Sequence, residues 1–174
     1  NRVVVEKNIL VASVNGPNKT IIVGHEPIDE PWIFDTNKMR GVYLAEYAVL
    51  SGFTISNGHA VMVGMSFNET DAQGGGIFAG VGCLIENCVI VNNQALYDGG
   101  GVFGGIISNC IIRLNQSRDT GGGACWSTIY DSQISENIAS NNGGGVNYGI
   151  IYNSLIESNR SIWGGGISES HVFN

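Results

Sequence analysis

The sequence predicts an all-β chain wound as a right-handed parallel β-helix, a solenoid of about seven coils with roughly 22 residues and three short strands in each. Three observations predict it. The triplet Gly-Gly-Gly recurs at 74–76, 99–101, 121–123, 143–145 and 164–166, so successive starts lie 25, 22, 22 and 21 residues apart. Three columns keep a stricter step of 22: Cys88, Cys110, Ser132 and Ser154; Ile90, Ile112, Ile134 and Ile156; and Asn93, Asn115, Asn137 and Asn159. The segments that carry these columns alternate with the period of two that belongs to strands, and none has a helix-length pattern.

Each element of the repeat follows from a residue column. One strand comes directly after the glycines, at Ile77, Val102, Ala124, Val146 and Ile167. A second is marked by Ile85, Ile107, Ile129 and Ile151, and a third by the Ile90 column. A unit of this length cannot bury its apolar face alone, so each strand pairs in parallel with its equivalent one coil away, at about 4.8 Å. Like residues then form ladders through the core, and stacked Asn amides hydrogen-bond along the axis at one turn. The glycines suit a turn that needs positive φ or close backbone approach. A phosphate-cradling loop requires a helix after it, and none follows.

The N-terminal part reads as earlier, less regular coils. Val3–Val5, Ile9 to Val14 and Thr20 to Val23 supply one coil; Val42–Leu44 and Val49 to Ile55 supply the next, with Phe53 and Ile55 in the core columns. Insertions interrupt the pattern at about 24–40 and 59–73. The chain is thus one domain, 1–174, irregular over 1–73 and regular over 74–174.

Composition agrees with this reading. The chain has 26 Gly, is 43% hydrophobic and only 13% charged, so it has apolar residues enough to fold and lacks the collagen period. Its formal charge is −7 with 8 Lys and Arg, and no basic cluster exists to displace phosphate counterions, which excludes nucleic acid as a partner. No run reaches the roughly 20 apolar residues of a transmembrane helix. The chain opens at Asn1 and stops at Asn174, partway through a coil, and is read as a mature product or excised segment.

Leu50-Ser51-Gly52-Phe53-Thr54-Ile55-Ser56-Asn57-Gly58, together with the recurring Asn-Cys-x-Ile-x-x-Asn and Gly-Gly-Gly-aliphatic, resembles bacterial cell-surface β-helix proteins of the pectate-lyase-like superfamily. Ser135 to Val146 is similar to the repeat of polymorphic outer-membrane proteins, which pairs Gly-Gly-Ala-Ile with Phe-x-x-Asn; here a third glycine stands in place of the alanine. The resemblance spans roughly 40–170 and implies an exported surface protein, often adhesive. It also brings polysaccharide lyases and hydrolases into view. Lyases of this shape abstract a proton with Lys or Arg and neutralise a uronate with Ca²⁺. Lys7, Lys19 and Lys38 all precede the regular coils, and Arg113 is the single basic residue on the repeated strands, in a column with Val91, Ser135 and Glu157. No catalytic residue is assigned.

Two features are candidate ligand sites. The first insertion holds Asp29, Glu30, Trp32, Phe34 and Asp35, with Asp71 of the second insertion within possible reach. This mixture stacks on sugar rings or offers Ca²⁺ its oxygens, or else folds back as a cover anchored by Trp32. The second is aromatic: Trp126 and Tyr148 hold equivalent positions one coil apart, as do Tyr130 and Tyr152, an arrangement that binds carbohydrate or simply stabilises the stack. Outward apolar positions Val89, Ile111 and Leu155 suit contact with another chain. Cys83, Cys88, Cys110 and Cys125 read as small core fillers without zinc spacing, and no cofactor is assigned. Sequons begin at Asn18, Asn68, Asn115 and Asn159; the last two fall on the Asn ladder, leaving Asn18 and Asn68 as candidate glycan acceptors. The expected role is an extracellular or cell-surface structural or adhesive β-helix that self-associates end to end or meets surface glycans. The alternative is a carbohydrate-binding or polysaccharide-degrading module.

Overall fold

The structure, a computed structural model, describes residues 1–25, 39–62 and 69–173. Its strands form four sheets in which every pairing is parallel. The first sheet stacks Val3–Val5, Val42–Leu44, Ile77–Ala79, Val102–Phe103, Ala124–Cys125, Val146–Asn147 and Ile167–Ser168. The second stacks Leu10–Ala12, Val49–Ser51, Leu84–Glu86, Ile106–Ser108, Thr128–Tyr130, Ile150–Tyr152 and His171–Phe173. The third runs from Ile21–Val23 through Thr54–Ser56, Val89–Val91, Ile111–Arg113 and Gln133–Ser135 to Leu155–Glu157. The chain is a parallel β-helix of seven coils.

The registers are those the columns predict. Ile90 pairs with Ile55 and Ile112, Ile134 with Ile156, and Ile107 with Ile85 and Ile129. Val102 lies between Ile77 and Ala124. These side chains are fully buried from Leu50 to Ile151 along the second sheet, because alternation turns every central residue inward. The N-terminal coil joins the same columns: Val11 pairs with Leu50 and Ile22 with Ile55.

A fourth sheet adds a strand to the middle coils beyond the three expected. It stacks His59–Ala60, Gln94–Ala95, Gln116–Ser117 and Ile138–Ala139, two residues each. Directly before it stands the Asn ladder. Asn115 Nδ2 donates to Ile90 O (3.0 Å) and to Asn137 Oδ1 (3.0 Å), and Asn137 Oδ1 also accepts the Asn115 N–H (2.9 Å). The same bonds join Asn93 to Asn115 and Asn137 to Asn159. Asn93, Asn115 and Asn137 are buried, so the sequon at Asn115 cannot present its amide, whereas Asn18 lies exposed in a turn.

The Gly triplets close the coil after the fourth sheet. Gly121 has φ +61, and a Cβ on Gly122 would sit 2.4 Å from Ile138 O and 2.5 Å from Gly144 O. The chain there runs against backbone on two sides, which only glycine permits.

Of the second insertion, the described part ends in a 3₁₀ turn, Glu69–Ala72, pinned by Arg40. The buried guanidinium donates to Thr70 O (2.6 Å), Gln73 O (2.8 Å), Gly74 O (3.0 Å) and Asn1 Oδ1 (3.0 Å), and lies over the Phe78 ring at 5.3 Å. Burial pulls its pKa down to about 10, against the opposing pull of Asp71 and Tyr43, so it remains charged at neutral pH. Arg40→Met keeps the aliphatic packing but strands several carbonyls. It is expected to lower stability by about 3 kcal/mol in urea unfolding and to expose 69–74 to limited proteolysis.

Candidate functional site

The residues predicted for ligand binding separate into two groups. Asp29, Glu30, Trp32, Phe34 and Asp35, and the sequon Asn68, lie outside the described residues. The Ca²⁺ expectation on that loop lies there too. Asp71 sits in the 3₁₀ turn, its carbonyl accepting from Arg40 Nη2 (3.3 Å). Among the described residues no group of three or more His, Cys, Asp or Glu is placed to hold a metal ion.

Trp126 and Tyr148 do come together. They lie in the turn between the first and second sheets, stacked at 4.6 Å between centroids and 19° between planes. Both protrude, with Trp126 59% exposed and Tyr148 40%. The Tyr148 hydroxyl bonds to Glu169 one coil further, whose carboxylate raises the Tyr148 pKa. A groove of about 330 Å³ runs beside them, with Trp126, Tyr148 and Glu169 on one wall and Thr128, Ile150 and His171 on the other. Because the two rings stack on each other, their facing sides are closed to a ligand, and edges and outer faces remain.

The second predicted aromatic row extends one step further than expected, through Tyr130, Tyr152 and Phe173 at 4.8 and 5.0 Å. A third, not foreseen, joins Tyr43, Phe78 and Phe103 at 5.5 Å each. Insertions set those three residues 35 and 25 positions apart, which hides them from a search at 22.

A lateral groove of about 570 Å³ follows the corner between the second and third sheets. Asn87, Asn109 and Asp131 form one rim, Val89, Ile111 and Leu155 the other, and Cys88, Cys110 and Ser132 the floor. The floor residues are more than fillers. Cys110 Sγ accepts the Cys88 N–H (3.4 Å), Ser132 Oγ accepts the Cys110 N–H (3.1 Å), and Ser154 Oγ accepts the Ser132 N–H (3.1 Å). Thiol and hydroxyl thus interchange because both are small acceptors at one place in the coil. The Arg113 column with Val91, Ser135 and Glu157 is as predicted, and Gln133 Nε2 donates to Glu157 Oε1 (3.2 Å).

All four cysteines are buried free thiols. The contact with Cys88, together with burial, raises the pKa of Cys110, and burial pushes that of Cys125 up to about 12. A raised thiol pKa keeps its proton in the fold after the unfolded chain has lost it. The Cys125 contribution is therefore whole below the unfolded value near 9 and fades as pH rises toward 12, a loss of about 4 kcal/mol over the window. Urea unfolding at pH 7, 9 and 11 is expected to give a steep alkaline fall that Cys125→Ser makes shallower.

Compared with protein-family models, curated proteins and solved structures, the chain has no match. Its own geometry defines its class: a solenoid of stacked parallel repeats, a parallel β-helix. No helix among the described residues is long and apolar enough to cross a membrane.

Proposed function

We propose that the protein is an extracellular or cell-surface structural and adhesive β-helix, akin in its repeat to the pectate-lyase-like and polymorphic outer-membrane proteins that its motifs resemble. The observation that carries this reading is the coil-periodic surface above a core that the Asn93, Asn115, Asn137 and Asn159 ladder ties together along the axis. The row Asn87–Asn109–Asp131–Asn153 presents polar chemistry at each step of about 4.8 Å, beside a row Val89–Ile111–Gln133–Leu155 that is apolar except at Gln133, a pattern that suits an extended or repeating partner better than one small substrate. End-to-end association belongs to the same reading, since parallel coils pair with whatever coil lies next to them.

The test has two arms. Negative-stain microscopy and light scattering across concentrations report whether rods join, and incubation with neutral and acidic polysaccharides reports any release of reducing ends or unsaturated products. Rods or fibres without product formation support a building and adhering role. Catalytic release of product overturns it.

A second reading, a carbohydrate-binding module, is favoured by the exposed Trp126–Tyr148 pair beside its groove, with Glu169 and His171 as polar partners for hydroxyls.

A further inference from the structure

Three successive coils each place one residue in the left-handed region at the turn from the first sheet to the second: Trp126 (φ 56), Tyr148 (φ 51) and Glu169 (φ 47). The strands on either side keep them in line. Cys125 pairs with Asn147 and Asn147 with Ser168 just before the turn. Thr128 pairs with Ile150 and Ile150 with His171 just after it. Two parallel rows result, whose members stand one coil step of about 4.8 Å apart. Trp126, Tyr148 and Glu169 form one wall of the groove of about 330 Å³, Thr128, Ile150 and His171 the other, and Ser127 and Gly149 lie between them.

The groove changes character along its length. Over the first two coils its walls are largely apolar, made by the indole, the phenol ring and Ile150. In the third coil the aromatic wall gives way to the exposed Glu169 carboxylate, which is hydrogen-bonded to the Tyr148 hydroxyl. That bond ties the carboxylate to the end of the apolar stretch. A carboxylate has about four acceptor sites, so most of its capacity stays open. Among the described residues no Lys or Arg lines the groove, and no strand of the second sheet carries one. The groove thus ends on a negative charge with no lysine or arginine of the protein in its walls, in a chain of net charge −7.

An apolar trough that ends on a carboxylate matches a long side chain with an apolar stem and a cationic head. A neutral sugar uses the rings but not the charge, and an acidic ligand is repelled by it. Of the two basic side chains, arginine fits better. Its guanidinium is planar and weakly hydrated, lies against aromatic rings, and pairs with a carboxylate through two N–H donors. We infer that the groove binds an arginine side chain of a partner protein, with the stem along Trp126, Tyr148 and Ile150 and the guanidinium at Glu169. This rests on the adhesive reading above and gives it a point of contact.

The test is calorimetric titration of the full chain, at one fixed ionic strength, with the peptide acetyl-Gly-Gly-Arg-Gly-Gly-amide and with its counterpart carrying citrulline, which keeps the shape and lacks the charge. Saturable binding of the arginine peptide with a Kd below about 1 mM is expected, and none of the citrulline peptide. Glu169→Gln should weaken it at least about tenfold and Trp126→Ala about threefold, while Glu136→Gln, which removes the same charge from an exposed site on another turn, should leave it unchanged. All three side chains are exposed, and far-UV circular dichroism establishes that each variant is folded. Equal weakening by Glu169→Gln and Glu136→Gln would mean a general attraction to an acidic chain and overturn the site; so would equal binding of the citrulline peptide. If neither peptide binds while cellohexaose does, in a manner lost in Trp126→Ala, the arginine site falls and the carbohydrate reading of the same groove stands. No binding of any of the three removes the arginine site alone, because rod assembly and product release test the adhesive reading separately.

Discussion

Asn137→Ala is expected to remove about 4–6 kcal/mol of stability, enough to unfold a marginal solenoid at room temperature. The side chain donates to Ile112 O (2.9 Å) and Asn159 Oδ1 (3.0 Å), and its Oδ1 accepts from Asn115 N–H and Asn115 Nδ2. Alanine fills none of these roles. The Asn115 donors and Ile112 O are buried, so no water replaces what is lost, and each abandoned group costs about 1–3 kcal/mol. Hydrogen bonds in a row also polarise one another, so the loss spreads to Asn93 and Asn159. The comparison variant is Asn87→Ala. Asn87 accepts from Asn109 Nδ2 at 2.7 Å on the exposed rim, where water takes over, so only the left-handed backbone (φ 53) penalises alanine and a change of about 1–2 kcal/mol is expected. Urea unfolding followed by far-UV circular dichroism measures both. Equal effects of the two variants would mean that the interior ladder contributes nothing special.

Gly122→Ala is expected to abolish cooperative folding. The new Cβ would approach Ile138 O at 2.4 Å, Ile138 C at 2.5 Å and Gly144 O at 2.5 Å, all backbone atoms that cannot swing aside. Relief requires parting two coils, which breaks the axial bonds of Gly122 and Gly123 to Gly143 and Gly144. Gly16→Ala supplies the contrast. Gly16 also has positive φ (+73), but nothing lies within 4 Å of its would-be Cβ, so only the left-handed backbone penalty of about 1–2 kcal/mol applies. A thermal melt by circular dichroism separates the two: a shifted but cooperative transition for Gly16→Ala, and none for Gly122→Ala. A cooperative melt for Gly122→Ala would show that the coils have slack that the backbone contacts deny.

What the sequence discloses depends on whether a residue has a partner at a constant step. Ile90, Ile112, Ile134 and Ile156, and the four ladder asparagines, announce themselves because each coil from Asn87 onward keeps its spacing. The fourth sheet stayed hidden because pairs such as Gln94–Ala95 and Gln116–Ser117 are too short to alternate. Arg40 was illegible for another reason: a lone cation held mainly by backbone carbonyls has no periodic counterpart to suggest its burial. The short turn at Gly104 and Gly105 needed the structure as well. That turn holds two residues, against four in the coils of Tyr47 and Gly82, so sequence spacing alone does not align them. Trp126 and Tyr148 were paired correctly from the sequence, while the groove beside them is a fact of three dimensions.

The bonds that join coils all point along the solenoid axis, and this gives the molecule a mechanical grain. A load spread over a whole coil and directed along that axis meets every backbone bond of an interface at once, together with the Asn and small-residue ladders, and they resist it jointly. A pull applied at one end of the chain instead reaches the terminal coil first and loads its bonds one after another, so it peels like tape. The same protein is therefore stiff as a post and weak as a thread, and where an adhering partner grips it decides which of the two is felt.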